Sequence, residues 1–390
     1  MNQFNRRNFL QKSGLGLLPA ILPLGPLVAQ ETRQPAPPEK KLVKFYGDGE
    51  MFEPGEYLKE LGTFHSTHPI VADRYGSGGA VEELQKKFVE ITGKEKAIYL
   101  ASGTMANTMA VKLLSGDKSK VFVQETSHLY RDEADAAQTV YNKRLMPLAK
   151  DQAFFTAKQL QDSIEQLPKE EVFDAGIGAV SVENPVRRAN GRYVPLEELK
   201  AISSYCRSKK IGLHLDGARI YMASVWTGIS VREYADLFDT VYISLYKYLG
   251  ASGGAILCGS AAIIDQVPHL MKVHGGSMYG SWLNASMALN RLEKMQERLL
   301  LAKQRSAEIF DALNKINGVK VTALDNGTNI YDLQLPATVD RVKFQKTLRD
   351  ESGIVTGRAN DKNLTTLQIN ETLLYQDAAY VIAAFRKALS

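Results

Sequence analysis

Residues 211–254 read IGLHLDGARIYMASVWTGISVREYADLFDTVYISLYKYLGASGG, and the placing of one acid and one lysine in this stretch decides the fold. A short apolar strand, IGLHL, delivers Asp216 at its end, with Arg219 just beyond. After a helical interlude a second strand, DTVYISL, ends on Tyr246 and Lys247 before a glycine-rich bend. Two neighbouring strands of a parallel sheet would bring that acid and that amine together at the carboxyl edge, where open α/β folds bind ligands. An ordinary αβ unit with a salt-bridging Asp and a surface Lys reads the same way, so the flanking sequence has to decide.

Upstream, a strand AIYLAS (97–102) breaks at Ser102-Gly103-Thr104 into a helix beginning MANTMAVKLL. Free N–H groups at a helix start, a glycine allowing close approach and two hydroxyls make a phosphate cradle, although Ser or Thr there is also a plain N-cap. Strand KVFVQE (120–125) leads to Ser127-His128, whose flat imidazole could stack on a ring and move protons. Glu133 could orient that ring or act as a base. Residues 151–171 form a crossover helix, and strand GIGAVSVEN (176–184) ends in a basic loop, Pro185 to Gly191. A helix over 195–210 returns the chain to the central stretch. Strand and helix alternate from about 95 to 260, which predicts a mostly parallel sheet covered on both faces. An acid, a lysine and a phosphate turn at successive strand ends are the parts of a pyridoxal 5'-phosphate site. The lysine would hold the aldehyde, and the carboxylate would keep the pyridine nitrogen protonated.

The ends of the chain read differently. Residues 1–29 carry Arg6-Arg7 ahead of SGLGLLPAILPLGPLVA, a run too short and too proline-rich for a membrane span. The pattern predicts a twin-arginine export signal ending near Ala29, and hence a periplasmic protein, or a cytoplasmic one if the signal is not used. Residues 30–68 read as a proline-rich linker and an N-terminal arm without clear period, lying on the fold or on a partner subunit. The large domain is expected over 69–285. A long helical pattern from Trp282 to Asn314 then opens a smaller α+β domain over 286–390, with strands near 319–324, 329–335 and 364–369. Arg358 in that domain is a candidate clamp for a substrate carboxylate, since its planar fork matches both oxygens.

Composition narrows the function. The 390 residues carry a net charge of +5, with basic residues scattered among acids, which argues against nucleic acid. Cys206 and Cys258 fit no metal or disulfide spacing and read as buried thiols, and the six histidines show no ligand pattern.

With these residues assembled, the chain resembles the threonine aldolase / aromatic amino acid β-eliminating lyase family of fold-type-I pyridoxal phosphate enzymes. The resemblance runs over roughly residues 70 to 335, through DRYGSGGAVEEL, SGTMAN, SHLYRDE, VENPVRRANGRYVPLEELKAI, HLDGARIY, SLYKYLGASGGAIL and HGGSMYGS. It implies that Lys247 is the Schiff-base lysine, that Asp216 partners the pyridine nitrogen and that Arg219 reaches the ring O3′ or the substrate carboxylate. It also implies that Ser102, Gly103 and Thr104 hold the phosphate, that His128 stacks on the ring and that Glu133 handles protons. Lys272 would lie in a loop near the phosphate, contributed across a subunit boundary of a homodimer or homotetramer. The chain departs from the family at three places. Glu183-Asn184-Pro185-Val186 replaces ENTH, removing a histidine that acts on the substrate hydroxyl, and Arg187 follows in the manner of a subgroup with an arginine there. Tyr279 stands where an arginine is usual. LQINETLL does not match the family's C-terminal arginine-and-histidine segment, so Arg358 is a substitute for that clamp.

The expected reaction is aldol cleavage of an L-threonine or L-allo-threonine-like amino acid to glycine and an aldehyde. The alternatives are β-elimination or racemisation on the same cofactor, and a non-catalytic binding module that retains the scaffold.

Overall fold

The computed structural model describes residues 41–390; the expected export signal and the linker up to residue 40 lie outside the described residues. Seven strands make the central sheet: β2 (Lys96–Leu100), β3 (Lys120–Gln124), β4 (Arg144–Leu148), β5 (Ile177–Glu183), β6 (Gly212–Asp216), β7 (Thr240–Ser244) and β8 (Ala255–Gly259). Their order is β2-β8-β7-β6-β5-β3-β4, and only β8 runs antiparallel to its neighbours. Strands β3, β7 and β8 are buried along their whole length, which is why they read as unbroken apolar runs rather than alternating ones. On one face the Gly103–Ser115 helix packs Ala106, Met109 and Ala110 against Leu100, Tyr242 and Leu257. On the other, the helices Gly79–Thr92, Leu196–Lys209 and Ile220–Thr227 bury Leu84, Phe88, Ile202 and Met222 in the largest core.

Local chemistry sets the helix ends. Gly93 adopts a left-handed conformation (φ 68°) and closes the first of those helices. A capping box between Thr156 and Gln159 starts the crossover helix at Ala157, six residues later than the sequence pattern indicated. The predicted run from Trp282 to Asn314 is two helices, Trp282–Leu292 and Met295–Leu313, separated where Lys294 takes φ 55°. The apolar spacing of three and four persists across that break, so periodicity alone could not reveal it.

A second core lies around β9 (Lys320–Ala323), β10 (Ile330–Gln334) and β12 (Leu364–Gln368), an antiparallel sheet backed by the helices Arg341–Ser352 and Ala378–Leu389. The segment without clear period belongs to the fold. Val43–Phe45 (β1) pairs in parallel with Ile354–Thr356 (β11), and residues Pro54–Thr67 form a helix against Trp282–Leu292. Residues 41–390 cluster as one compact unit.

Candidate active site

Asp216 closes β6 and Lys247 lies three residues beyond the end of the adjacent β7, so both stand at the carboxyl edge of the sheet. Lys247 lines a cavity of about 520 Å³ together with His128, Arg187, Arg219, Asp48 and Phe52. Its side chain is buried, yet no carboxylate lies within ion-pair distance among the described residues. Its amine sits 5.1 Å from the Tyr246 ring and 5.8 Å from the Tyr242 ring. Burial first, and the Arg219 charge second, push the amine down to about 8, against the pull of Asp216, Asp48 and Glu183. A lysine so placed is a nucleophile within reach of neutral pH.

The Ser102 turn opens the Gly103–Ser115 helix. The Ser102 hydroxyl accepts from the Met105 N–H at 3.2 Å, so in this structure it caps the helix. Gly103 is required by packing, because a Cβ there would stand 2.1 Å from the Tyr242 hydroxyl. The N–H groups of Gly103 and Thr104 have no acceptor among the described residues, as helix geometry dictates.

His128 and Glu133 meet directly, Nδ1 to Oε1 at 3.0 Å. That bond, ahead of the opposing effect of burial, raises the imidazole above its ordinary value. Glu133 is buried; its Oε1 holds the His128 ring and the Asn107 amide, while its Oε2 has no partner among the described residues. Asn107, which sequence reasoning did not single out although it ends the SGTMAN motif, donates to both Glu133 (2.8 Å) and Asp216 (2.9 Å). Asp216 also accepts from the Ala218 N–H at 3.1 Å. Glu183, at the end of β5 and in register with Asp216, accepts from the backbone N–H of His128 at 2.6 Å and of Arg187 at 2.8 Å. Burial and the neighbouring Asp216 push it up to about 7.

Of the three candidate arginines, Arg219 and Arg187 line the cavity and Arg358 does not. Arg219 is held edge to edge by Asp48, a residue in the aperiodic segment that gave no signal. Arg187 lines the cavity and touches Asp132 only at 3.4 Å, because Arg188 already occupies that acid at 2.9 and 2.5 Å. Arg358 is exposed after β11 and is not among the cavity's walls, so the structure does not bring it to Lys247. Lys272 is likewise exposed, 5.3 Å from the Tyr75 ring and outside the cavity of its own chain.

The cavity's outer wall is the strip Gly47–Phe52, pinned from behind by the stretch that departs from the family pattern. The Asn370 amide donates to the carbonyls of Lys44, Tyr46 and Gly47 at 3.0–3.2 Å. Glu50 pairs with Lys44 at 2.8 Å and takes the Tyr375 hydroxyl. Gly49 packs so closely that a Cβ would lie 3.2 Å from the Tyr248 Cα. As the sequence indicated, both cysteines are buried free thiols.

Comparison with known proteins points one way. The family model described as beta-eliminating lyase matches residues 69–335. The low specificity L-threonine aldolase of Escherichia coli (strain K12) is 30% identical over 315 residues, covering 80% of this chain and 91% of that one. The low-specificity L-threonine aldolase of Candida albicans is 30% identical over 254 residues, 64% and 67% of the two chains. Among solved structures, the threonine aldolase of Leishmania major superposes with a TM-score of 0.68 at 16% identity, covering 89% of this chain and 98% of that one. That likeness shows the fold.

Proposed function

The chain belongs to the beta-eliminating lyase family, whose members are pyridoxal phosphate-dependent enzymes, and from that membership we propose that it cleaves a β-hydroxy amino acid of the L-threonine or L-allo-threonine kind into glycine and an aldehyde. The observation that carries the reading is the buried Lys247 amine, unpaired among the described residues, just beyond the strand next to the one that ends on the buried carboxylate of Asp216.

The residues present fit the cofactor. Asp216 is a buried carboxylate with no cation at ion-pair distance among the described residues, and the free N–H groups of Gly103 and Thr104 suit a phosphate. Pyridoxal phosphate would supply an electron sink for the pair released when a bond at the substrate Cα breaks. Asp216 would hold the proton on the ring nitrogen, and His128, fixed by Glu133, would lie flat against the ring. The Lys247 amine would move the proton at Cα. With Arg219 engaged by Asp48 and Arg358 outside the cavity, Arg187 is left to take the substrate carboxylate. The Nε2 of His128 would accept the β-hydroxyl proton, since Val186 occupies the place of the family's histidine and is buried.

That same Val186 favours a second reading, β-elimination with Lys247 taking the Cα proton. Incubating the cofactor-loaded protein with L-threonine, L-allo-threonine and phenylserine decides between them. Glycine and an aldehyde support the first, 2-oxo acid and ammonia the second. Failure to bind pyridoxal phosphate at all would leave a binding module.

Two further features enter the proposal. Exposed Leu58, Val71, Tyr75, Tyr279 and Trp282 support a homodimer or homotetramer, in which Lys272 would reach a partner's phosphate turn; sedimentation measures it. The twin-arginine stretch supports periplasmic export, which cell fractionation checks.

A further inference from the structure

The Asn107 amide is wired in one direction only. Nδ2 lies 2.8 Å from Glu133 Oε1 and 2.9 Å from Asp216 Oδ2, while Oδ1 lies 3.0 Å from His214 Nε2. His214 Nδ1 in turn lies 2.8 Å from the Thr240 hydroxyl. Asn107 is 1% exposed and His214 0%, so solvent does not complete the set. The two ends of an amide are told apart by what they touch, and here two carboxylates settle it. An ionised carboxylate only accepts, and an NH₂ has two protons to give, one to each acid. The amide oxygen must then receive the Nε2–H of His214, which leaves Nδ1 of a neutral ring to accept from Thr240. Burial, opposed by Asp216 and by the Thr240 backbone, holds His214 down at about 4, in keeping with that neutral form. On the other side Glu133 Oε1 also faces His128 Nδ1 at 3.0 Å.

We propose that Asn107 is a positioning residue that, from one turn inside the helix starting at the phosphate turn, fixes the Asp216 carboxylate in place and holds Glu133 against His128. The geometry stands without the cofactor; its consequence rests on the pyridoxal phosphate reading above. Two buried carboxylates without the amide between them repel, and neither is held in its place. An Asp216 that has lost this donor is no longer held on the line along which it would meet the ring nitrogen.

The test uses Asn107→Asp and Asn107→Ala in the full chain, with far-UV circular dichroism confirming that each is folded. Histidine ¹⁵N spectra of the cofactor-free protein read the wiring, and titration with pyridoxal phosphate followed by absorbance reads its consequence. In the parent His214 is the neutral Nε2–H form from pH 5 to 8. In Asn107→Asp the His214 midpoint rises by two units or more. In both variants the dissociation constant for pyridoxal phosphate rises at least tenfold. An unchanged His214 form and midpoint in folded Asn107→Asp overturns the wiring. Cofactor binding within twofold of the parent in folded Asn107→Ala overturns its consequence, and that variant decides alone if Asn107→Asp does not fold. A parent that binds no pyridoxal phosphate overturns the functional reading instead, while the His214 spectra still decide the wiring.

Discussion

Asp48 meets Arg219 edge to edge, with Oδ1 2.7 Å from Nε and Oδ2 2.9 Å from Nη2. Gln368 adds a donor to the same acid at 3.3 Å. The guanidinium is therefore fixed in place by the cavity's outer wall. Asp48→Asn leaves a mostly buried cation without its counter-charge and should cost about 2 kcal/mol, read from urea unfolding. Adding Arg219→Met should return part of that loss; a fully additive double variant would show that the pair is not coupled.

Lys247→Met should lose turnover while keeping the fold. The depressed amine makes the parent pay for burying a charge at pH 7, roughly 3 kcal/mol from the drop between its ordinary value and about 8. The sign follows from protons bound. Between about 8 and the ordinary lysine value the unfolded chain holds the extra proton, so parent stability rises with pH across that window. Cofactor-free Lys247→Met should thus melt above the parent at pH 7, with the gap closing toward pH 10. The rate of pyridoxal phosphate attachment to the parent should rise tenfold per pH unit below about 8 and level above it.

Glu183 ties two loops by accepting one backbone N–H with each oxygen. Glu183→Gln keeps one acceptor and turns an NH₂ toward the other N–H, so either the His128 or the Arg187 loop shifts. KM should rise about tenfold with a smaller fall in kcat, because positioning rather than chemistry is damaged. Because burial and Asp216 raise this acid to about 7, the folded parent binds the extra proton between the ordinary carboxylate value and 7. Its stability therefore falls as pH climbs through that range, and the variant should lack this component of the slope in a melting series from pH 4.5 to 7.5.

Glu133→Gln should let the His128 imidazole drop from its raised value, seen as a downward shift of its NMR titration midpoint. The pair stabilises the fold fully below the ordinary histidine value and ceases to do so as pH rises through the raised one. The difference in melting temperature between parent and variant should accordingly shrink as the pH rises above the ordinary histidine value and through the raised one.

Much of this site was legible because its strands are buried on both faces. KVFVQ, GLHLD and TVYIS are compact, apolar-rich runs, and each ends on or a few residues before a candidate site residue. The strand RLMPL was not legible: it is an edge strand, where Pro147 is tolerated precisely because one side needs no ladder bond. Asp48 escaped notice because it lies in an irregular strip whose shape comes from Asn370 and Glu50 rather than from any local pattern. Arg358 was placed by residue type alone and Lys272 by family resemblance, and neither says where a loop will point within one chain. Asn107 sat inside a motif read for its backbone, so its side chain drew no attention.

The pairing of β1 with β11 has a consequence for biosynthesis. Val43 is aligned with Ile354, and the strip following β1 is held by residues 370–375. The cavity's rim therefore cannot be assembled on a nascent chain until residues 354–375, more than three hundred positions after β1, have been made and have left the ribosome. A ribosome stalled before residue 354 would display a sheet with its lysine uncovered, so competence to retain a ligand waits for that distant segment.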